Sequence, residues 1–380
     1  MSRCLVVLVL SSLSPAINRA SCYTLSMHTI VVTGGHHNSA LVVAQELVRR
    51  GHKVVWIGHK QSSRGDAHDS AEYLEVTSAQ IPFYNLNAGK LILNLSELIR
   101  FPVGLSQALS LLRQIKPHAV LSFGGYLGGT VAIAGKLLGI PIYLHEQTVT
   151  AGRANKLIAR LAQVVYLTYP DSAKHLSAKH IEVVGLPLRS SILTSKSKTL
   201  FSRKRPTLLV MGGKQGAHVL NQFIFAHLSD LLTYFNIVHQ TGTNSKTQDY
   251  ERACALQNTL ASLADCYLPR GYIGESEIGS YLHSTQLYLG RSGAHICYEL
   301  GVLGLTSILV PLMSTHDAEQ LKNARILESA GLALILPQSR LTLPQFTSAV
   351  TQLKQLKGTK LPLPVDATNI LVNHLLKQLG

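Results

Sequence analysis

The stretch Leu289–Gln320, LGRSGAHICYELGVLGLTSILVPLMSTHDAEQ, restricts the fold more than any other part of the chain. The apolar run Gln286–Gly290 has strand character, Ser292-Gly293-Ala294 opens a helix, and Leu305–Val310 is a second short apolar run. Strand, helix, strand in so few residues is a βαβ unit, which predicts a parallel sheet covered by helices. On the helix, Ile296, Leu300 and Leu303 recur at i, i+4 and i+7, with Glu299 on the edge of that face. An unpaired carboxylate is costly to bury. Glu299 therefore either lies at the helix surface, answered by an arginine such as Arg291, or accepts hydrogen bonds from something polar such as the vicinal hydroxyls of a ribose.

One such unit does not account for 380 residues, a length that favours two domains. With 46% hydrophobic and 14% charged residues and no long apolar run, a soluble α/β chain without a spanning helix is expected. The five cysteines are scattered with no CxxC, which argues against disulfide or zinc frameworks and for a reducing compartment. The net charge of +15 is spread over both halves, 17 basic against 9 acidic residues in 1–185 and 18 against 11 in 186–380. Only 6% of residues are aromatic and no basic arm is present, so no nucleic-acid partner is expected. A diffuse positive field suits an anionic membrane surface or a phosphorylated substrate.

Residues 1–26 have the outline of a secretory signal, but Met27 stands just before the first apolar strand, and a translation start there is the simpler reading. From Ile30 a strand leads into Thr33-Gly34-Gly35-His36-His37-Asn38-Ser39. A helix through Leu41, Ala44, Leu47 and Val48 follows, then a strand at Lys53–Ile57. The glycine pair permits a sharp turn whose helix N-terminus offers N–H groups to an anion, with His36 at the carboxyl edge where open α/β sheets keep ligands.

Gln61–Ser70 is expected to be a polar loop. Lys90–Arg100 has a helical apolar face, for a core or a bilayer surface. A strand at Ala119–Phe123 ends in Gly124-Gly125-Tyr126. A helix at Val131–Leu138 leads to a strand at Pro141–Leu144, which runs into His145-Glu146-Gln147-Thr148. Polar side chains in succession at a strand's carboxyl end belong in a cleft. Strands at Val164–Leu167 and Glu182–Val184 complete a first domain over 27–187, and 188–205 is a linker. Leu208–Met211 then repeats the opening pattern, ending in Gly212-Gly213-Lys214-Gln215-Gly216 before a helix around Leu220. Ile237–Gln240, Tyr272-Ile273 and Leu332–Leu336 continue a second domain over 206–365, and a terminal helix occupies 366–380. Two parallel-sheet, Rossmann-like halves facing one cleft are expected.

Taken together in order, TGGH, FGGY with HEQ, GGxQGA and SGA…E…Q resemble the MurG-type glycosyltransferases of glycosyltransferase family 28, over roughly residues 28–375. The resemblance implies the GT-B type of α/β fold, with the acceptor bound by the first domain and the donor nucleotide by the second. It implies inverting transfer of N-acetylglucosamine from UDP-N-acetylglucosamine to undecaprenyl-pyrophosphoryl-MurNAc-pentapeptide, at the cytoplasmic face of the cell membrane and peripherally attached. It assigns His36 and Glu146 to catalysis. For the acceptor side it implies Thr33, Gly34, Gly35, His36, Asn38, Tyr126, His145, Gln147, Thr148 and Asn155. For the donor side it implies Arg189, Gly213, Lys214, Gln215, Gly216, Ile273, Ala294, Glu299, Glu319 and Gln320. Departures stand at Thr148, where the family has Asn, and at Ala151, where it has Pro. Lys214 replaces Ser, Glu319-Gln320 replaces a Gln pair, and His37-Asn38-Ser39 replaces a more apolar stretch.

Charge must build on the departing diphosphate. None of the eight aspartates has another at i+2, so no Asp-x-Asp metal site is expected, nor any cofactor. The N–H groups of the Gly213–Gly216 turn, its helix dipole and Arg189 or Lys214 are the candidate stabilisers. His36 is either the base or only a hydrogen-bonding partner of the acceptor, and a base needs a near-neutral pKa. His145 suits a structural role at its strand end equally well. A dehydrogenase would need G-x-G-x-x-G and an acid after the second strand, where Gly58-His59-Lys60 stands. A non-catalytic scaffold would bind no nucleotide, and a transferase for another glycolipid or a natural product remains the nearest alternative.

Overall fold

The computed structural model describes residues 26–61, 69–88, 95–213, 215–313 and 318–380, with the backbone alone for 95–99. The signal-like segment up to residue 25, most of the 61–70 loop, the first half of the Lys90–Arg100 helix and Lys214 lie outside these residues.

Two parallel sheets account for the described strands. The first comprises β1 (Thr29–Thr33), β2 (Lys53–Gly58), β3 (Phe83–Asn85), β4 (Ala119–Ser122), β5 (Ile142–Glu146), β6 (Val164–Leu167) and β7 (Ile181–Val183). Its order is β3-β2-β1-β4-β5-β6-β7. The second comprises β8 (Thr207–Met211), β9 (Asn236–Gln240), β10 (Tyr267–Arg270), β11 (Leu287–Gly290), β12 (Ser307–Leu309) and β13 (Ala333–Ile335). Its order is β10-β9-β8-β11-β12-β13. In each sheet the winding reverses once, between β1 and β4 and between β8 and β11. At such a point the connecting helices leave on opposite faces and open a crevice at the carboxyl ends of the strands. The glycine turns after β1, β4 and β8 and the Ser292-Gly293 turn after β11 all lie at these two positions.

Alternate residues of β1 feed two cores. Ile30 and Val32 pack with Ala40, Val43 and Leu47, while Val31 packs with Val131 and Ala134 on the opposite face. In the second sheet Leu208 and Val210 face Leu220 and Ile224, and Leu209 faces Leu300 and Leu327. The helix Ala294–Leu303 keeps the expected face, with Ile296, Leu300 and Leu303 in this last core.

Several expectations need correction. Tyr272-Ile273 is loop; the strand there is Tyr267–Arg270, which carries Pro269 and pairs only with β9, as an edge position tolerates. Val48 is 46% exposed, and Val43 takes its place in the core. The helix expected from Val131 starts at Gly125, and the one around Arg100 spans Leu95–Ile115. Within the expected linker, a short helix at Ser190–Thr194 docks on the second domain: the Ser191 hydroxyl donates to the Glu275 carbonyl at 2.5 Å, and Ile192 is buried.

The chain crosses between the sheets near Gly185 and returns near Pro364. Between the crossings Tyr169, Leu186, Leu188 and Tyr298 form a small buried cluster, and Tyr298 donates to the Pro364 carbonyl at 2.7 Å. The terminal helix Ala367–Leu379 packs on the first domain, with Leu371, Val372 and Leu375 fully buried. Arg50 fastens it by donating to Asn373 at 2.5 Å and Asn369 at 2.7 Å.

Candidate active site

At the first switch point two glycine turns lock together. Gly34 has φ +135°, and a Cβ there would stand 2.6 Å from the Phe123 backbone carbon; Gly35 N–H donates to the Gly124 carbonyl at 3.0 Å. Gly124, at φ +82°, leaves room for Asn155, whose Oδ1 accepts from Gly125 N–H at 3.0 Å. Asn155 Nδ2 donates to Glu146 at 2.7 Å, and the other oxygen of Glu146 accepts from Thr148 N–H at 2.9 Å and Thr148 Oγ1 at 2.7 Å. Glu146 is fully buried, and burial pushes its carboxyl upward against these hydrogen bonds. Its part is to hold Asn155 and the 147–148 turn, so it acts on the cleft through Asn155. Thr33 is fully buried beneath this turn, and Tyr126 packs partly into the core beside it.

His36 caps the start of the helix His37–Arg49, half-buried, and Asn38, two residues on, is half-buried as well. Desolvation and the neighbouring His37 pull His36 down to about 4, not the near-neutral value expected from the sequence. It is a neutral acceptor at pH 7 with less basicity than a free imidazole. His145 is fully buried; its Nε2–H donates to the Gly185 carbonyl at 3.0 Å, and burial, opposed by that bond, leaves it at about 4. It ties the β5 end to the inter-domain crossing.

At the second switch point Gly213 (φ +88°) and Gly216 (φ +80°) shape the turn after β8, with Gly216 N–H donating to the Gly213 carbonyl at 3.0 Å. Gln215 is exposed on it. Gln240, at the end of β9, donates to the Gly213 carbonyl and accepts from Ile273 N–H, both at 3.0 Å, so it staples this turn to the 271–274 loop. Sequence reading missed Gln240, although a buried polar residue at a strand's carboxyl end is the same signal that marked His145-Glu146-Gln147.

Glu299 is fully buried, and its partner is Arg189, not Arg291. Arg189 Nε and Nη2 donate to Oε1 at 2.9 and 2.6 Å, and Nη2 also reaches Oε2 at 2.5 Å. Burial raises the Glu299 carboxyl and Arg189 pulls it back; burial would lower the Arg189 guanidinium, but Glu299 outweighs it. Arg291 instead donates to the Val310 carbonyl and Gln338. Ala294 is buried at the start of the same helix.

Gln320 is engaged internally, with its Oε1 accepting from Leu312 N–H at 2.9 Å and its carbonyl from Ser292 Oγ at 2.8 Å. Glu319 begins the next helix half-buried. Desolvation, then the charge of Glu146 in the other domain, raises its carboxyl.

Contacts absent from the sequence reading bridge the domains. Ser39 Oγ lies 2.9 Å from His295 Nε2 and donates to Gln147 Oε1 at 3.3 Å. Tyr272 donates to Glu75 at 3.1 Å, and Glu75 also meets His37 at 3.0 Å. No local pattern foretells these pairings, which depend on how the two sheets face each other.

The chain matches the family model for the glycosyltransferase family 28 N-terminal domain over residues 29–167 and that for the C-terminal domain over 207–363. It is 32% identical over 324 residues to a UDP-N-acetylglucosamine–N-acetylmuramyl-(pentapeptide) pyrophosphoryl-undecaprenol N-acetylglucosamine transferase of Shewanella denitrificans, covering 82% of each chain. A Clostridium botulinum protein of the same name is 28% identical over 330 residues, covering 83% of this chain and 88% of its own. Among solved structures, Acinetobacter baumannii MurG superposes with a TM-score of 0.67 at 24% identity, over 92% of this chain and 99% of that one. A UDP-GlcNAc 2-epimerase from Neisseria meningitidis superposes at 0.62 and 17% identity, over 92% and 100%. At those identities the likeness speaks for the two-domain GT-B fold. With both family domains matched in order and a relative above 30% identity along most of its length, the chain belongs to glycosyltransferase family 28.

Proposed function

We propose that this chain moves N-acetylglucosamine from UDP-N-acetylglucosamine onto undecaprenyl-pyrophosphoryl-MurNAc-pentapeptide, lipid I to lipid II, in peptidoglycan synthesis. The observation that carries the reading is the pairing of two switch-point crevices in one cleft. One holds the His36 glycine turn, and the other holds the Gly213–Gly216 turn with Arg189 and Glu299. The names borne by the Shewanella and Clostridium relatives support the choice of sugar and acceptor.

In this reading the first domain takes the acceptor and the second the donor. The acceptor hydroxyl oxygen bonds to the anomeric carbon as the bond from that carbon to the diphosphate oxygen breaks. The hydroxyl proton passes to His36, the electron pair leaves with UDP, and the configuration inverts. The acceptor's pyrophosphate beside the Gly34–His36 turn raises the basicity of His36 when it is needed. Backbone N–H groups of the Gly213–Gly216 turn, the amino end of helix His218–Ala226 and Arg189 offset the charge on the departing diphosphate without a metal. Arg189 already fills three of the roughly four acceptor positions of Glu299. Two ribose hydroxyls can therefore bind only if Arg189 swings away, and the diphosphate is the group to receive it. Glu146 is a positioning residue in this scheme.

Among the described residues no helix is long and apolar enough to cross a membrane. Peripheral attachment at the cytoplasmic face accords with the net charge of +15 and a lipid-linked acceptor. The test is purified protein with UDP-N-acetylglucosamine and a lipid I analogue, following UDP release and the configuration of the new bond. UDP binding without transfer to that analogue would overturn the acceptor, and absence of UDP binding by calorimetry the donor.

A further inference from the structure

His295 is the second residue of helix Ala294–Leu303 and reaches across from the second domain to Ser39 of the first. Ser39 is fully buried and carries one proton. That proton goes to Gln147 Oε1, which can only accept, so His295 donates its Nε2–H to Ser39 Oγ at 2.9 Å. The tautomer is thereby set, and Nδ1 carries a lone pair. This nitrogen is enclosed, and among the described residues no polar atom reaches it.

The ring stands in the cleft within electrostatic reach of Arg189, His36, His37 and His145, and its desolvation keeps it neutral. An enclosed acceptor without a donor is a standing cost to the fold, which a bound molecule can relieve. The Arg189 guanidinium nearby makes a second cation an unfavourable donor. Neutral hydroxyl and amide N–H groups meet no such penalty, and an amino sugar offers both. We propose that His295 Nδ1 accepts a hydrogen bond from a hydroxyl or acetamido N–H of a bound amino sugar, as a specificity residue held in place by Ser39 and Gln147. The inference rests on the transferase reading above.

Two variants separate substrate contact from scaffolding. His295→Gln keeps a donor near the Nε2 position for Ser39 and loses the Nδ1 acceptor. His295→Asn keeps an acceptor near Nδ1 and loses the bridge to Ser39. Affinities for UDP, UDP-N-acetylglucosamine and a lipid I analogue are measured by calorimetry on each full-length protein, with thermal unfolding to verify folding. The expected result is unchanged UDP affinity, about tenfold weaker sugar binding in His295→Gln, and near-normal binding in His295→Asn. Loss against the nucleotide sugar assigns the contact to the donor, and loss against the analogue assigns it to the acceptor. Equal affinities in both variants, or the reverse ranking, overturn the proposal and leave His295 as a domain bridge. Failure of the native protein to bind UDP would instead refute the transferase reading.

Discussion

The buried Arg189–Glu299 pair allows a test with opposite outcomes for single and double substitutions. Glu299 is fully buried, and the Arg189 side chain is 11% exposed, so replacing one leaves the other charged and enclosed. Such a loss costs about 3–5 kcal/mol, a large share of the ~5–15 kcal/mol that holds a typical domain together. For a body of 150–250 residues that is a fall of roughly 6–20 °C in unfolding midpoint. Arg189→Met and Glu299→Leu should each show it, while the double variant, with no buried charge left, should be more stable than either single one. Differential scanning calorimetry with and without UDP reads this directly. Glu299→Gln keeps the shape but weakens hydrogen bonds worth about 1.5–3 kcal/mol, so donor kcat/KM should drop about 10- to 100-fold. If the single variants lose under about 1 kcal/mol each and the losses add, the pair behaves as an exposed one and the reasoning from burial fails.

Asn155→Ala removes the link between Glu146 and Gly125 N–H; a loss of about 1–3 kcal/mol in stability is expected, with the acceptor KM rising more than the donor KM, and steady-state kinetics against both substrates decides it. With His36 at about 4, the acid limb of kcat/KM in the free enzyme should fall near that value, and a limb near 6.5 would refute it. Burial holds His145 at about 4 and His239 at about 3, both below the ~6.5 of an unfolded chain, so the native state binds fewer protons. Their contribution is complete above pH 6.5 and is lost as pH falls, by about 3 kcal/mol each at pH 4, which denaturation at pH 7 and pH 4 would measure. Turnover should persist in EDTA; complete loss restored by magnesium or manganese would refute a metal-independent step.

The features legible in the sequence are those whose physics is local. Gly34 and Gly124 mark turns because a positive φ and a close backbone leave no room for a side chain. His145-Glu146-Gln147 marks a cleft because three polar groups at a strand end need partners. Phe83–Asn85 was illegible because a three-residue, half-exposed edge strand carries almost no pattern. The partner of Glu299 lies 110 residues away and that of His295 lies 256 away, separations at which no periodicity operates. The sequence identifies Glu299 as needing a partner, while only the docking of the crossing segment onto helix Ala294–Leu303 selects Arg189 over Arg291.

The return of helix Ala367–Leu379 to the first domain bears on how the protein is made. Leu371, Val372 and Leu375 belong to the same core as Ile30 and Val32, so the half synthesised first lacks part of its interior until the last half has been translated. At ~5–20 residues per second, the nearly two hundred residues between β7 and that helix take roughly 10–40 s. Throughout that interval the nascent first domain displays an apolar face fitted to a helix that does not yet exist. Chaperones should engage ribosome-bound chains of this length, and a nonsense codon shortly before Ala367 should leave two folded-looking halves of which the first is the one that aggregates.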